Sequence, residues 1–128
     1  MQKKLLNEVG AAVAWTEAAD CEAIQATLEK SRGVPVFCYV WATWCVPCKR
    51  VGPRFESLAE AYAGHAVFVK IDADGCVDFL RARGIKGIPV ILALKDDTDL
   101  GRLPGEPTVQ KIEQFIQERL AGENKHDS

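Results

Sequence analysis

The chain has 128 residues, 48% of them hydrophobic and 27% charged, which suffices for one domain with one core. Its 18 acidic and 16 basic residues are spread along the sequence and leave a formal charge of −2, with no basic footprint for nucleic acid or an anionic membrane. The longest apolar stretch, residues 34–47, is too short to cross a bilayer as a helix. Near the N-terminus, Asn7, Glu8 and Gly10 come too soon after Lys3 and Lys4 for a signal-like apolar region to form, so neither a membrane span nor secretion is indicated.

In chain order, residues 11–15 are small and apolar and predict a short first strand, and residues 20–30 place Cys21, Ile24 and Leu28 at helical spacing. Residues 34–41 lack polar alternation and are rich in aromatic and β-branched side chains, the pattern of a strand buried on both faces. From residue 45 to 62, Val51, Phe55, Leu58, Ala59 and Tyr62 form the stripe of an amphipathic helix, with Pro53 as a kink and Gly64 as its end. Residues 66–72 predict a second buried strand, 76–83 a short helix, 84–89 a glycine-rich connection and 90–94 a further strand. A polar turn at 95–97 leads to an edge strand around 100–103. Pro107 and Thr108 then open a last helix carrying Val109, Ile112, Phe115, Ile116 and Leu120, and residues 122–128 read as a frayed polar tail. Alternating strands and helices with a terminal hairpin imply an α/β fold, a mixed sheet covered by helices on both faces.

The segment Trp44-Cys45-Val46-Pro47-Cys48-Lys49 sets two cysteines three positions apart where a buried strand gives way to a helix. Unpaired amides and the positive dipole end at a helix start stabilise an anion, which makes Cys45 the candidate nucleophile. Cys48, one turn further on, should be more buried and able to resolve a mixed disulfide with Cys45. The same spacing also suits half of a structural zinc site, but no second close cysteine pair exists and His65 and His126 lie far apart. His65, in a turn after Gly64, is assigned no role.

Together with Pro53, the Lys70 strand and Gly87-Ile88-Pro89, this motif closely resembles the thioredoxins, over roughly residues 10–120. The resemblance implies a single thioredoxin domain spanning residues 1–128, a central mixed sheet of about five strands flanked by about four helices, and reversible dithiol–disulfide chemistry at Cys45 and Cys48 without a metal or cofactor. It implies a cis Ile88–Pro89 bond facing the cysteines, Pro47 as a supporting residue between them, and a docking patch for protein substrates formed by Trp44, Gly87, Ile88, Pro89 and Gly105. The implied partners are disulfide-bearing proteins and a reductase that recycles the dithiol, with no nucleic acid or membrane, and the protein is expected to act as a monomer. Trp41, at the end of a buried strand, is read as packing.

Two positions depart from the family pattern. Tyr39 stands where a buried acid is expected, and a phenol, with an ordinary pKa of about 10, is a poor base at neutral pH. Lys70 would lose its partner, and Asp72, two residues along the same strand face, either takes part of that role or forms with Lys70 a solvated strand-end pair with no catalytic duty. Val46 replaces the glycine usual between the cysteines, which leaves open a disulfide oxidase or isomerase, and the weakened proton relay leaves open a docking module with incidental turnover. Of the remaining cysteines, Cys38 and Cys21 read as small core residues, and Cys76 as a passive thiol at a helix start, where exposure would open it to regulatory oxidation or an intermolecular disulfide. Five cysteines in a chain of this size fit a reducing compartment, the cytoplasm, better than a disulfide framework.

Overall fold

The structure is a computed structural model and describes residues 14–124. In chain order its elements are β1 (Thr16–Ala18), α1 (Cys21–Lys30), β2 (Val36–Trp41), α2 (Val46–Ala61), β3 (Val67–Asp72), α3 (Val77–Ala82), β4 (Val90–Lys95), β5 (Thr98–Pro104) and α4 (Val109–Asn124). The five strands form one sheet in the order β1-β3-β2-β4-β5. β2 sits at its centre because it has no charged side chain to keep in water, and it pairs in parallel with β3 and antiparallel with β4.

The two faces of β2 read alternately, as the pleat requires. Phe37 and Tyr39 point to the side covered by α2 and α4: Phe37 stacks on Phe68 with centroids 5.4 Å apart and meets Phe115 of α4 at 6.0 Å, while Tyr39 and Phe68 both contact Phe55 of α2. Cys38 and Val40 point to the opposite side and are fully buried there. Helix α2 continues unbroken through Pro53. Thr108 caps α4, its hydroxyl accepting the Lys111 N–H at 3.2 Å.

Two boundaries differ from those expected. The first strand forms at Thr16–Ala18 instead of 11–15, of which residues 11–13 lie outside the described part of the chain. It is an edge strand whose exposed Thr16 and Glu17 carry no apolar signal, and its register against β3 (Thr16↔Val69 to Ala18↔Ile71) defines it. The last helix runs on to Asn124, so residues 122–124, expected to fray, are helical.

The pairing fixes where the functional end lies. β1, β3 and β2 are parallel, with Ala18 beside Ile71 and Trp41 beside Asp72, so the segments after them leave from the same end of the sheet. β4 runs the other way and begins there, Val90 opposite Val40. The loops after β1 and β3 touch closely at Gly75, where an added Cβ would land on the backbone carbonyl of Ala19. Gly75→Ala is therefore expected to lower stability by about 1–3 kcal/mol, the cost of overpacking a closed site. The midpoint of urea unfolding checks this, and an unshifted midpoint would mean the two loops are not held in contact.

Candidate functional site

Chain order and register bring the sequence-predicted residues together at this end. Cys45 ends the turn after β2, its N–H donating to the Ala42 carbonyl at 3.1 Å, and serves as N-cap of α2 with Pro47 in the first turn. Its Sγ accepts the Cys48 N–H at 3.3 Å, so the helix start offers an amide to this sulfur. Cys45 and Cys48 are joined as a disulfide with Cα atoms 5.3 Å apart, within the ordinary range for such bonds. Both are 4% exposed, so total burial does not separate them as expected. Their surroundings do, since Cys48 lines a half-open pocket behind the dithiol from which Cys45 is absent. No group of three or more His, Cys, Asp or Glu side chains among the described residues is arranged to share a metal ion.

Outside the cysteines lies an apolar surface. Trp44 is 65% exposed, and its indole N–H donates to Asp74 at 2.9 Å, which ties the ring to the loop after β3. Trp44, Val77, Leu80, Ile85, Gly87 and Ile88 border a groove of about 420 Å³. The Ile88–Pro89 bond is cis, as the resemblance implied. Gly105 is held beside it by its N–H to the Pro89 carbonyl at 3.1 Å, and Arg50 of α2 pairs with Glu106 at 2.6 Å to fix the same loop against the dithiol helix.

Behind Cys48 the arrangement differs from the one anticipated. Tyr39 is buried, and its hydroxyl donates to the Cys48 carbonyl at 2.7 Å. Burial, then the nearby Glu56 carboxylate, raise its pKa above the ordinary phenol value, so the hydroxyl keeps its proton at neutral pH. Lys70, beside Tyr39 in the register, does not pair with Asp72: that carboxylate turns away and accepts the Asp74 N–H at 2.9 Å, closing the turn after β3. Lys70 instead reaches Glu56 of α2 at 2.6 Å, with Glu17 at 3.9 Å and the Trp41 ring 5.6 Å from its Nζ. Cys48, Gly52 and Glu56 recur every four residues along one helix face, and the missing side chain at Gly52 helps open a cavity of about 190 Å³ that Tyr39, Trp41, Cys48, Glu56 and Lys70 also line. Trp41 packs as expected at the end of β2, but its buried indole N–H has no partner among the described residues. Glu56 was missed by sequence reading, although its spacing from Cys48 was there to find.

The other cysteines divide unexpectedly. Cys38 is the buried core residue anticipated, and burial pushes its thiol up to about 12, with the charge of Arg83 pulling weakly the other way. Cys21 is exposed rather than core, and Cys76 is buried rather than open; the two are bonded, with Cα atoms 4.9 Å apart. Neither is the passive thiol expected, because the sheet places the ends of β1 and β3 side by side and so brings together two cysteines 55 residues apart in sequence.

Comparison with known proteins agrees with this geometry. The family model for thioredoxin matches residues 16–118. Thioredoxin C-2 of Corynebacterium nephridii is 35% identical over 86 residues, covering 67% of this chain and 80% of its own. The chloroplastic thioredoxin M4 of Arabidopsis thaliana is 34% identical over 89 residues, covering 66% of this chain and 46% of its own. The reduced thioredoxin pre-protein of Schistosoma mansoni superimposes with a TM-score of 0.74 at 31% identity, over 81% of this chain and 96% of that one. The chain belongs to the thioredoxin family, a membership consistent with thiol–disulfide exchange.

The oxidised, folded protein is expected to show no thiol reactive toward a maleimide at pH 8, and one after denaturation without reductant, since Cys38 is the sole cysteine outside a disulfide. Its titration also has a sign: the thiol ionises near 9 when unfolded and near 12 when folded, so between these values the folded state holds the extra proton and stability falls as pH rises. Cys38→Ala should flatten that slope in urea unfolding measured from pH 8 to 11.

Proposed function

We propose that this protein is a thiol–disulfide oxidoreductase of a reducing compartment, the cytoplasm, and that it reduces disulfides in other proteins as a single-domain, monomeric carrier. The observation that carries the reading is Cys45 as N-cap of α2, its sulfur on the Cys48 amide, between exposed Trp44 and the apolar groove that ends at Ile88. With the pair reduced, the Cys45 thiolate attacks a target disulfide and forms a mixed disulfide. Cys48 then attacks the Cys45 sulfur, the target leaves as a dithiol, and the Cys45–Cys48 bond forms. A reductase returns the two electrons. The groove receives an extended segment of the protein substrate, with backbone beside Pro89 available for strand-like pairing.

Resolution needs the Cys48 proton removed, and Tyr39, whose pKa is raised by burial, cannot take it at neutral pH. Glu56 supports that role better, because its carboxylate and Cys48 line the same cavity, which is roomy and polar enough for water to carry the proton between them. Lys70 holds Glu56 in place from 2.6 Å.

Insulin reduction under a steady supply of dithiothreitol tests the reading. Cys45→Ser is expected to abolish activity and Cys48→Ser to accumulate a mixed disulfide with the substrate. Activity surviving in Cys45→Ser would refute the assignment. In single-turnover resolution, Glu56→Gln should slow release by about 10²-fold, the lower end of what a positioned base contributes, whereas Asp72→Asn and Tyr39→Phe should leave the pH profile of that step unchanged. A Glu56→Gln rate equal to wild type would remove Glu56 from the mechanism. The measured reduction potential of Cys45 and Cys48 decides the direction of transfer: a value near those of isomerases would reverse it.

A further inference from the structure

We propose that Cys21 and Cys76 form a second redox site, a reversible disulfide that sets the docking groove beside Cys45. The effect on docking rests on the function proposed above; the redox behaviour of the pair does not.

Three features separate this bond from an inert staple. Its two sulfurs are unequal, Cys21 lying on an exposed residue at the first position of α1 and Cys76 buried at the cap of α3, so a thiolate in solution has one sulfur to attack and a defined one to displace. It lies at the functional end of the sheet, since β1, β3 and β2 all run toward that end. And what it anchors has few other ties: α3 has six residues, none fully buried, held to the core through partly buried Phe79 and Leu80, and its cap Cys76 makes no side-chain capping bond. Among the described residues the bond is the covalent tie between that helix and the start of α1.

The same helix supplies the groove. Val77, 57% exposed, and Leu80 belong to α3 and border the groove with Trp44 and Ile88. Asp74, two residues before Cys76, accepts the Trp44 indole N–H. A path of bonded and packed groups thus runs from Cys21 through Cys76 and the turn at Gly75 to Trp44, the neighbour of Cys45. Closing the bond fixes α3 and the Asp74 turn, and opening it frees both.

The chemistry balances with a dithiol as reductant. Its thiolate attacks Cys21 Sγ, the Cys21–Cys76 bond breaks, and Cys76 leaves as a thiolate that takes a proton from water. The second thiol of the reductant then attacks the mixed disulfide, Cys21 is released and protonated, and the reductant ends as a disulfide, two electrons having passed to the pair. Glutathione disulfide, or the oxidised Cys45–Cys48 pair of a second copy, reverses the sequence. In a reducing compartment the pair rests as a dithiol and closes when the thiol pool is oxidised.

The test uses the full chain with Cys45→Ser and Cys48→Ser, so that Cys21 and Cys76 are the titrating pair. Dithiothreitol in native buffer should open the bond without denaturant; glutathione disulfide should close it, with both states mapped by alkylation and mass spectrometry. Opening should change tryptophan emission, and a Trp44→Phe background should lose that change. Wild type reduced at Cys45 and Cys48 with the second bond kept closed should then be compared with Cys21→Ser in single turnover. Closure is expected to tighten the apparent affinity for a protein disulfide by about five-fold, the low end of ordinary coupling between sites, with the rate toward a small aromatic disulfide unchanged. A bond that opens only in denaturant, or that opens with no change in Trp44 emission and no change in protein-disulfide affinity, overturns the proposal. If Cys21→Ser fails to fold, the same comparison is made on wild type across a graded glutathione series. A Cys45/Cys48 pair without activity would refute the proposed function alone, because titration and emission of the second pair require no turnover.

Discussion

The antiparallel pairing of β4 against an otherwise parallel set of strands is the constraint on which the functional end depends. β1, β3 and β2 all deliver their carboxyl ends to one side, and a fourth parallel strand would have begun at the other. Because β4 runs back, with Val90 opposite Val40, the chain reaches Ile88 and Pro89 just where β2 hands over to the turn carrying Trp44 and Cys45. Gly105, at the far end of β5, returns to the same place through its bond to Pro89. One strand's direction assembles a site from segments spread over nearly half of the chain.

Around that site, two environments meet at the dithiol. On the outside Trp44, Val77 and Ile88 present an apolar surface edged by Asp74 and Lys86. Behind the dithiol, Cys48 faces a half-open pocket where Lys70 and Glu56 balance one another against the aromatic wall of Tyr39 and Trp41. The ion pair is partly buried, Lys70 at 14% and Glu56 at 31% side-chain exposure, so each charge compensates the other's lost hydration. Tyr39 meanwhile commits its hydroxyl to the Cys48 carbonyl, a structural tie between β2 and the start of α2. Tyr39 thus acts as a clamp, and the carboxylate that pairs with Lys70 comes from the helix instead of the strand.

The five cysteines are distributed by the same topology into three kinds. Cys38 sits on the face of β2 opposite the dithiol cavity and is silenced by burial. Cys45 and Cys48 are neighbours by sequence, whereas Cys21 and Cys76 are neighbours only because β1 joins the sheet beside β3.

The sequence by itself determined the elements whose signal is local: the buried strand at Val36–Trp41, the amphipathic helices after Cys45 and Thr108, and the dithiol at a helix start, since periodicity and capping are written in neighbouring residues. It did not reveal β1, an edge strand with no apolar pattern, nor the true partner of Lys70, nor the union of Cys21 with Cys76. Asp72 looked right for Lys70 because alternation puts both on one strand face, but a turn amide claimed its carboxylate and a helix crossing above the strand offered Glu56. Pairings of this kind are decided by sheet register and helix placement over long separations, and no short-range pattern in the chain encodes them.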